Sequence, residues 1–267
     1  FYRFGERFFN FEPNPFVPAG GVFTSERRPG SVTRMLGDGW VKDIGGGETA
    51  EANVQRVPVK LTPAQRRIYR EFEQRAVAWL GEHPVSIDIP ATLDLRLRQA
   101  TLGDMIVSED GEVTFSPEAK SSKITALLDI LFDLGEEPVI VYTHSKKFLT
   151  PLIHQLREAG YDAVSVSSED KTSWREFRDG QHQILCAVIP AIAEGVDGLQ
   201  NRAHVEIWLS QDNSLILNEQ AKGRLSRQGQ KHTVTRYLIE AENTVDTRAV
   251  VPRLNKRYKQ LKESGLL

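Results

Sequence analysis

The strongest constraint on the fold is a series of short segments that are apolar without interruption. Pro138-Val139-Ile140-Val141-Tyr142-Thr143 and Ile184-Leu185-Cys186-Ala187-Val188-Ile189 show no polar alternation, and stretches of helical period flank them. A strand with apolar side chains at consecutive positions is buried on both faces, which calls for a parallel sheet covered by helices on each side. The pattern predicts helix 121–134, strand 138–143, helix 146–159, strand 163–167, helix 171–179, strand 184–189, strand 205–209, helix 214–226, strand 234–239 and a last helix from position 244. Alternation of this kind reads as right-handed βαβ units, hence an α/β domain over 119–267 with a parallel sheet.

Upstream the character changes. Residues 1–57 are rich in Pro and Gly and hold no long period, so loops with short helices are expected there. Five phenylalanines between Phe4 and Phe16 call for a partner surface. The chain opens without Met and in mid-pattern, as a segment cut from a neighbouring domain would. A helical linking segment is expected over 58–118. Thr62-Pro63 is a helix start, with an N-cap and Pro at the first helical position, and Ile68, Phe72, Ala76 and Trp79-Leu80 form the apolar face that follows. A second helix over 92–101 packs Leu93, Leu95 and Leu97 and leaves Arg96 and Arg98 to solvent.

Of the 267 residues, 40% are apolar, enough for a sizeable core, and the single cysteine excludes a disulfide scaffold. No stretch approaches the ~18 consecutive apolar residues of a membrane helix. The net charge of −2 gives no global sign of a nucleic-acid protein, so any such function must rest on where the charges lie.

Open parallel sheets bind ligands at the C-terminal ends of their strands, which directs attention to the loops 143–147, 190–201 and 210–213. There is no G-x-x-x-x-G-K-[ST] phosphate loop, no strand ending in an adjacent acidic pair, no G-x-G-x-x-G after a strand and no His/Cys spacing suited to a metal. The densest signal is Asn218-Glu219-Gln220-Ala221-Lys222-Gly223-Arg224-Leu225-Ser226-Arg227-Gln228-Gly229-Gln230. On a helix at ~100° per residue, Gln220, Arg224 and Arg227 share one face, with no acidic neighbour on it. Guanidinium forks at that spacing suit phosphate, and the plain alternative is an exposed basic helix end.

Gln220-x-x-Gly223-Arg224-x-x-Arg227-x-Gly229-Gln230 resembles motif VI of superfamily-two helicases, in the form typical of Swi/Snf-like DNA translocases. The likeness continues in order along roughly 58–250. Leu61-Thr62-Pro63-Ala64-Gln65 resembles the opening of the second lobe, and Pro138-Val139-Ile140-Val141-Tyr142-Thr143-His144 resembles motif IV. Ala193-Glu194-Gly195-Val196-Asp197-Gly198-Leu199-Gln200 resembles motif V, and Asn243-Thr244-Val245-Asp246 the closing element. The resemblance implies a RecA-like second lobe, with 1–57 as the remnant of a first lobe that would hold ATP and Mg²⁺. It implies that Arg227 is the arginine finger, Arg224 its partner in sensing phosphate, and Gln220 the residue that positions them. Gly195, Asp197 and Gly223 would face the nucleotide. Thr143, His144, Lys146, Lys147, Lys222 and Lys231 would line the DNA, or RNA, track. The implied partners are nucleic acid and the first lobe, with no membrane, in the cytoplasm of a bacterial or phage-infected cell. This chain alone, lacking both Walker motifs, would be inactive.

Two departures bear on that reading. Ile189-Pro190 stands where the family commonly has Ser-Thr, and the connection 167–174 is short and acidic where the family carries a longer DNA-contacting stretch. Basic substitutes are Lys146-Lys147, the segment 222–236 (which includes Arg236) and the tail 248–267, where Leu254, Tyr258 and Leu261 give an amphipathic helix. Trp174 and Trp208 are assigned to the core. The alternative function is a non-catalytic nucleic-acid-binding or partner-docking module with the same fold.

Overall fold

A computed structural model describes residues 9–13, 21–26 and 51–263, apart from 88 and 194. The chain forms two units, Phe1–Glu48 and Thr49–Leu267. In the first, β1 (Phe9–Pro13) pairs antiparallel with β2 (Gly21–Glu26), with Phe11 opposite Phe23. Irregular structure was the expectation here. The surrounding prolines and glycines mask two short runs of period 2, Phe9-Asn10-Phe11 and Val22-Phe23-Thr24. The surface expected to cover the five phenylalanines lies outside the described residues.

The second unit is built on a six-stranded, all-parallel sheet in the order β3 (Asn53–Val59), β12 (Thr235–Ala241), β11 (Val205–Trp208), β8 (Val139–Thr143), β10 (Ile184–Val188), β9 (Ala163–Val166). Its edge strand β3 (Asn53–Val59) spans position 57, so the expected boundary there falls inside a strand of the main sheet. After it, α1 (Pro63–Arg75) starts on a full capping box: Gln65 N–H donates to Thr62 Oγ1 (3.1 Å) and Thr62 N–H donates to Gln65 Oε1 (3.2 Å). The helix stops one turn before the expected Trp79-Leu80, at Ala76, which adopts the left-handed conformation (φ 51°). Val77-Ala78-Trp79-Leu80 has period 2 rather than 3.6. It forms β4 (Val77–Leu80), paired with β5 (His83–Ser86), with Ala78 and Leu80 buried and Trp79 exposed. Helix α2 (Pro90–Leu102) and the pair β6 (Met105–Val107) and β7 (Val113–Phe115) complete the segment. Arg98 is buried, not solvated as its helix pattern suggested, because it reaches under the sheet loop described below.

The alternating region follows as α3 (Ser122–Leu134), β8 (Val139–Thr143), a 3₁₀ turn Lys146–Phe148, α4 (Leu149–Glu158) and β9 (Ala163–Val166). Then come α5 (Trp174–Arg178), β10 (Ile184–Val188), α6 (Ile189–Ala193), β11 (Val205–Trp208), α7 (Leu215–Lys222), β12 (Thr235–Ala241), a π-helical turn Asp246–Val250 and α8 (Val251–Glu263).

The unbroken apolar strands divide their side chains between two cores. Val139, Val141, Ile184, Cys186, Val205 and Ile207 face α1, α3 and α4, packing with Phe72, Leu127 and Leu152. Ile140, Tyr142, Leu185, Ala187 and Trp208 face the other way, toward Trp174, Phe177, Ile192 and Leu225. Tyr142 and Trp208 lie ring to ring at 4.4 Å, so both tryptophans, Trp174 and Trp208, are core residues as expected. At ~25 cal/mol per Å² of apolar surface, burial of this kind on both faces is the main stabilising term. One polar pair sits inside it. Arg236 is buried opposite Glu206 and bonded to it, so it belongs to the sheet rather than to a basic surface.

Candidate functional site

The loops past β8 and β11 meet at Ser210. His144 N–H donates to Ser210 Oγ (3.0 Å), and the His144 Nδ1–Ser210 Oγ distance is 2.7 Å. The ring and the hydroxyl are bonded in either neutral tautomer, with Oγ donating to Nδ1 or accepting from it. Nε2 is buried and has no hydrogen-bond partner among the described residues. Burial, reinforced by the Arg98 and Lys123 cations, holds the ring well below the usual histidine range, so His144 is neutral at physiological pH. Thr143 is fully buried. Its hydroxyl lies 3.5 Å from Ser210 Oγ and accepts from Ser145 N–H (3.2 Å). Thr143 and His144, both expected on the nucleic-acid track, thus sit in one bonded cluster, Thr143 fully buried and His144 half-buried.

Lys146 and Lys147 are half-exposed on the adjoining 3₁₀ turn, and each already has a carboxylate. Lys146 pairs with Glu169, so the acidic 167–174 connection neutralises it directly. Lys147 pairs with Glu112 at 2.6 Å and donates to Val113 O (3.0 Å). Lys222 pairs with Glu219 at 2.7 Å, and Lys231 is exposed without an ion pair among the described residues.

The second cluster joins the loop after α6 to the segment after α7. The helix ends at Lys222, earlier than the expected 226, so Gln220 stands exposed on its last turn while Arg224 and Arg227 lie in the turns beyond. The single helix face inferred for these three residues is therefore not formed. Gly223 is in the ordinary right-handed region (φ −64°) and needs no special freedom. Instead both arginines reach across to the 193–198 loop. The Arg224 guanidinium donates to Val196 O (2.6 Å) and to Ala193 O. Arg227 Nη1 pairs with Asp197 Oδ1 at 2.6 Å, and the same oxygen accepts from Gly198 N–H (2.9 Å). Gly195 (φ 70°) and Gly198 (φ 86°) supply left-handed conformations, and a Cβ on Gly198 would lie 3.0 Å from Arg178 Cδ. The structure thus brings Arg224, Arg227, Gly195 and Asp197 together and leaves Gln220 apart. Asp197 is the acidic neighbour that the helix-face reading left out.

The two arginines have different work. Arg224 is partly buried and donates to backbone carbonyls, so it ties the 193–198 loop in place. Arg227 is held by one exposed carboxylate. Exposed pairs are worth only ~0–1 kcal/mol, so a multiply charged phosphate can take the guanidinium from Asp197.

Three residues to which the sequence pattern assigns no site role hold the Ser210 loop in place. Lys123 is fully buried on α3, with Nζ 2.6 Å from Leu209 O and 2.5 Å from Asp246 Oδ2. Asp246 also accepts from Ala241 N–H (3.1 Å), and Arg98 Nη2 donates to Gln211 O (2.5 Å). The available signal was a lysine in the apolar stripe Lys123, Leu127, Leu131, where a charge must find a partner inside.

In fold, 80% of the chain matches 98% of the C-terminal part of the Fun30 ATPase domain, with a TM-score of 0.58 at 13% sequence identity. The fold is RecA-like, that of this C-terminal ATPase part. In sequence, the chain is 31% identical over 130 residues to DEAD-box ATP-dependent RNA helicase 21 of Oryza sativa subsp. japonica. The match covers 47% of this chain and 17% of that helicase. No family profile matches. The RecA-like α/β fold expected from the sequence is therefore established, while the chain spans only a small part of the rice helicase it matches. Among the described residues, no helix is long and apolar enough to cross a membrane.

Proposed function

We propose that this chain is the second motor lobe of an ATP-dependent helicase or translocase, with Arg227 as its arginine finger. The observation that carries the reading is the 2.6 Å Arg227–Asp197 pair, set at the mouth of a loop whose carbonyls Arg224 pins. A guanidinium held by one exchangeable carboxylate fits an incoming phosphate, the charge that phosphoryl transfer most needs to have stabilised. The sequence has no phosphate loop, so ATP and Mg²⁺ would be held mainly by a first RecA-like lobe. Asp197 and the Gly195 backbone would then face the nucleotide from this side. DNA is the substrate suggested by the motif VI pattern, and RNA the one named for the rice helicase.

A second reading, a non-catalytic nucleic-acid-binding or docking module, draws on Ile189-Pro190 opening α6 without a hydroxyl and on the carboxylates already paired with Lys146 and Lys147. The two part on ATP turnover by this chain joined to a phosphate-loop lobe, measured with and without DNA and RNA. A motor lobe gives turnover that nucleic acid stimulates. Nucleic-acid binding with no turnover in any combination supports the second reading instead.

A further inference from the structure

Helix α1 carries four arginines, and two adjoining surface grooves of about 510 and 460 Å³ run along it, sharing Arg66 and Arg70. The second groove lies past the C-terminal ends of the edge strand β3 and its neighbour β12, where Glu242 N–H donates to Val59 O (2.9 Å). Lys60 enters it from the end of β3 and Arg248 from the turn after β12. The carboxylates nearby are largely taken: Glu71 pairs with Arg67 at 2.9 Å and Glu73 with Arg248 at 3.4 Å. Among the described residues, Lys60, Arg66, Arg70 and Arg75 have no ion pair, and Glu242 is the one remaining acid on the rim. Arg66 is preorganised. Its guanidinium donates to Glu242 O (3.0 Å) and Asn243 O (3.3 Å) and lies 5.8 Å from the centre of the Tyr69 ring.

We propose that these grooves bind the sugar-phosphate backbone of a nucleic acid strand. Arg66 and Arg70 stand one turn apart, about 6 Å along the helix axis, so they can engage successive phosphates of one strand with planar, bidentate donors. The lining offers no exposed aromatic or aliphatic anchor of the kind that fixes a peptide, which favours a repeating phosphate chain over an acidic protein segment. None of the lining residues belongs to the loops that carry Asp197 and Arg227, so the site stands apart from the nucleotide reading.

The test is fluorescence anisotropy of the 267-residue chain with labelled single strands of DNA and RNA across a salt series. Lys60→Glu/Arg70→Glu is expected to weaken binding about tenfold and to lower the salt slope by about 1.4, at ~0.7 for each phosphate no longer neutralised on a single strand. Lys60→Gln/Arg70→Gln gives the same direction with a smaller effect, and both variants keep the wild-type melting curve because both side chains are exposed. Arg157→Glu/Arg175→Glu on α4 and α5, an equal change of charge at exposed positions outside the grooves, leaves binding within about twofold of wild type. Unchanged affinity in the groove variants overturns the proposal, as does an equal loss in this control variant. Displacement of the strand by poly-glutamate at matched charge overturns it too, in favour of an acidic protein partner. Arg227→Ala keeps full binding here, which separates a failure of this site from a failure of the finger assignment.

Discussion

Arg227→Ala lowers ATP turnover by about 10³–10⁵-fold when this lobe works with its phosphate-loop partner, the range an arginine finger contributes. That is a loss of about 4–7 kcal/mol of transition-state stabilisation. The folded lobe loses far less, because the Arg227–Asp197 pair is exposed on both sides and worth at most ~1 kcal/mol. Turnover and stability therefore separate: steady-state hydrolysis collapses while the thermal unfolding curve hardly moves. Arg227→Lys keeps the charge but not the planar fork and recovers only part of the rate. Arg224→Ala behaves differently. It frees the carbonyls of Val196 and Ala193, so the loop loosens and stability and turnover fall together. Full activity in Arg227→Ala removes the finger assignment.

Lys123→Met carries the second large effect, on folding. The ammonium is wholly enclosed between Leu209 O and Asp246, and removing it leaves the Asp246 carboxylate with only Ala241 N–H and the Thr101 hydroxyl at 3.4 Å. Breaking one side of a buried pair costs about 3–5 kcal/mol, because the surviving charge stays buried without its counter-charge. At ~2–4 °C per kcal/mol for a domain of this size, the melting temperature falls by roughly 6–20 °C. Lys123→Met/Asp246→Leu removes both charges and recovers part of the loss, so the double-mutant cycle shows strong coupling. Additive losses in that cycle, measured by urea unfolding, contradict a pair that stabilises as a unit.

The α/β architecture was legible because the strands of a buried parallel sheet carry an unusual signature. Val139-Ile140-Val141-Tyr142 and Ile184-Leu185-Cys186-Ala187-Val188 have no polar face, and their shortness and their alternation with amphipathic segments point to strands buried on both sides. Local chemistry was legible too, as at Thr62-Pro63-Ala64-Gln65, where the cap residues announce the helix. Short paired strands were harder. Val77-Ala78-Trp79-Leu80 follows a strong helix, and four residues cannot distinguish period 2 from 3.6 until a partner strand fixes the register.

At the site, the sequence pointed to Arg224, Arg227, Gly195 and Asp197, and these four do meet. What it could not show was who holds whom. The helix-face construction assumed that α7 continues through Arg227, but the backbone turns after Lys222. The two guanidiniums then cross a gap of 28 to 31 positions in sequence to reach Val196, Ala193 and Asp197. Burial was equally hidden. Arg98, Arg236 and Thr143 look like surface polar residues by type, and only tertiary packing puts them inside, each with its partner, while His144 is half-buried against Ser210. Function read from residue type alone therefore overstates the basic surface.

The most direct measurement is a structure of this lobe joined to its phosphate-loop partner with ADP and aluminium fluoride, a mimic of the transferring phosphoryl group. The expected result is an Arg227 guanidinium that has left Asp197 and is hydrogen-bonded to the fluoride group, with Arg224 still on the carbonyls of Ala193 and Val196. An occupied, closed nucleotide site in which Arg227 remains paired with Asp197 contradicts the assignment of this chain as the lobe that supplies the finger.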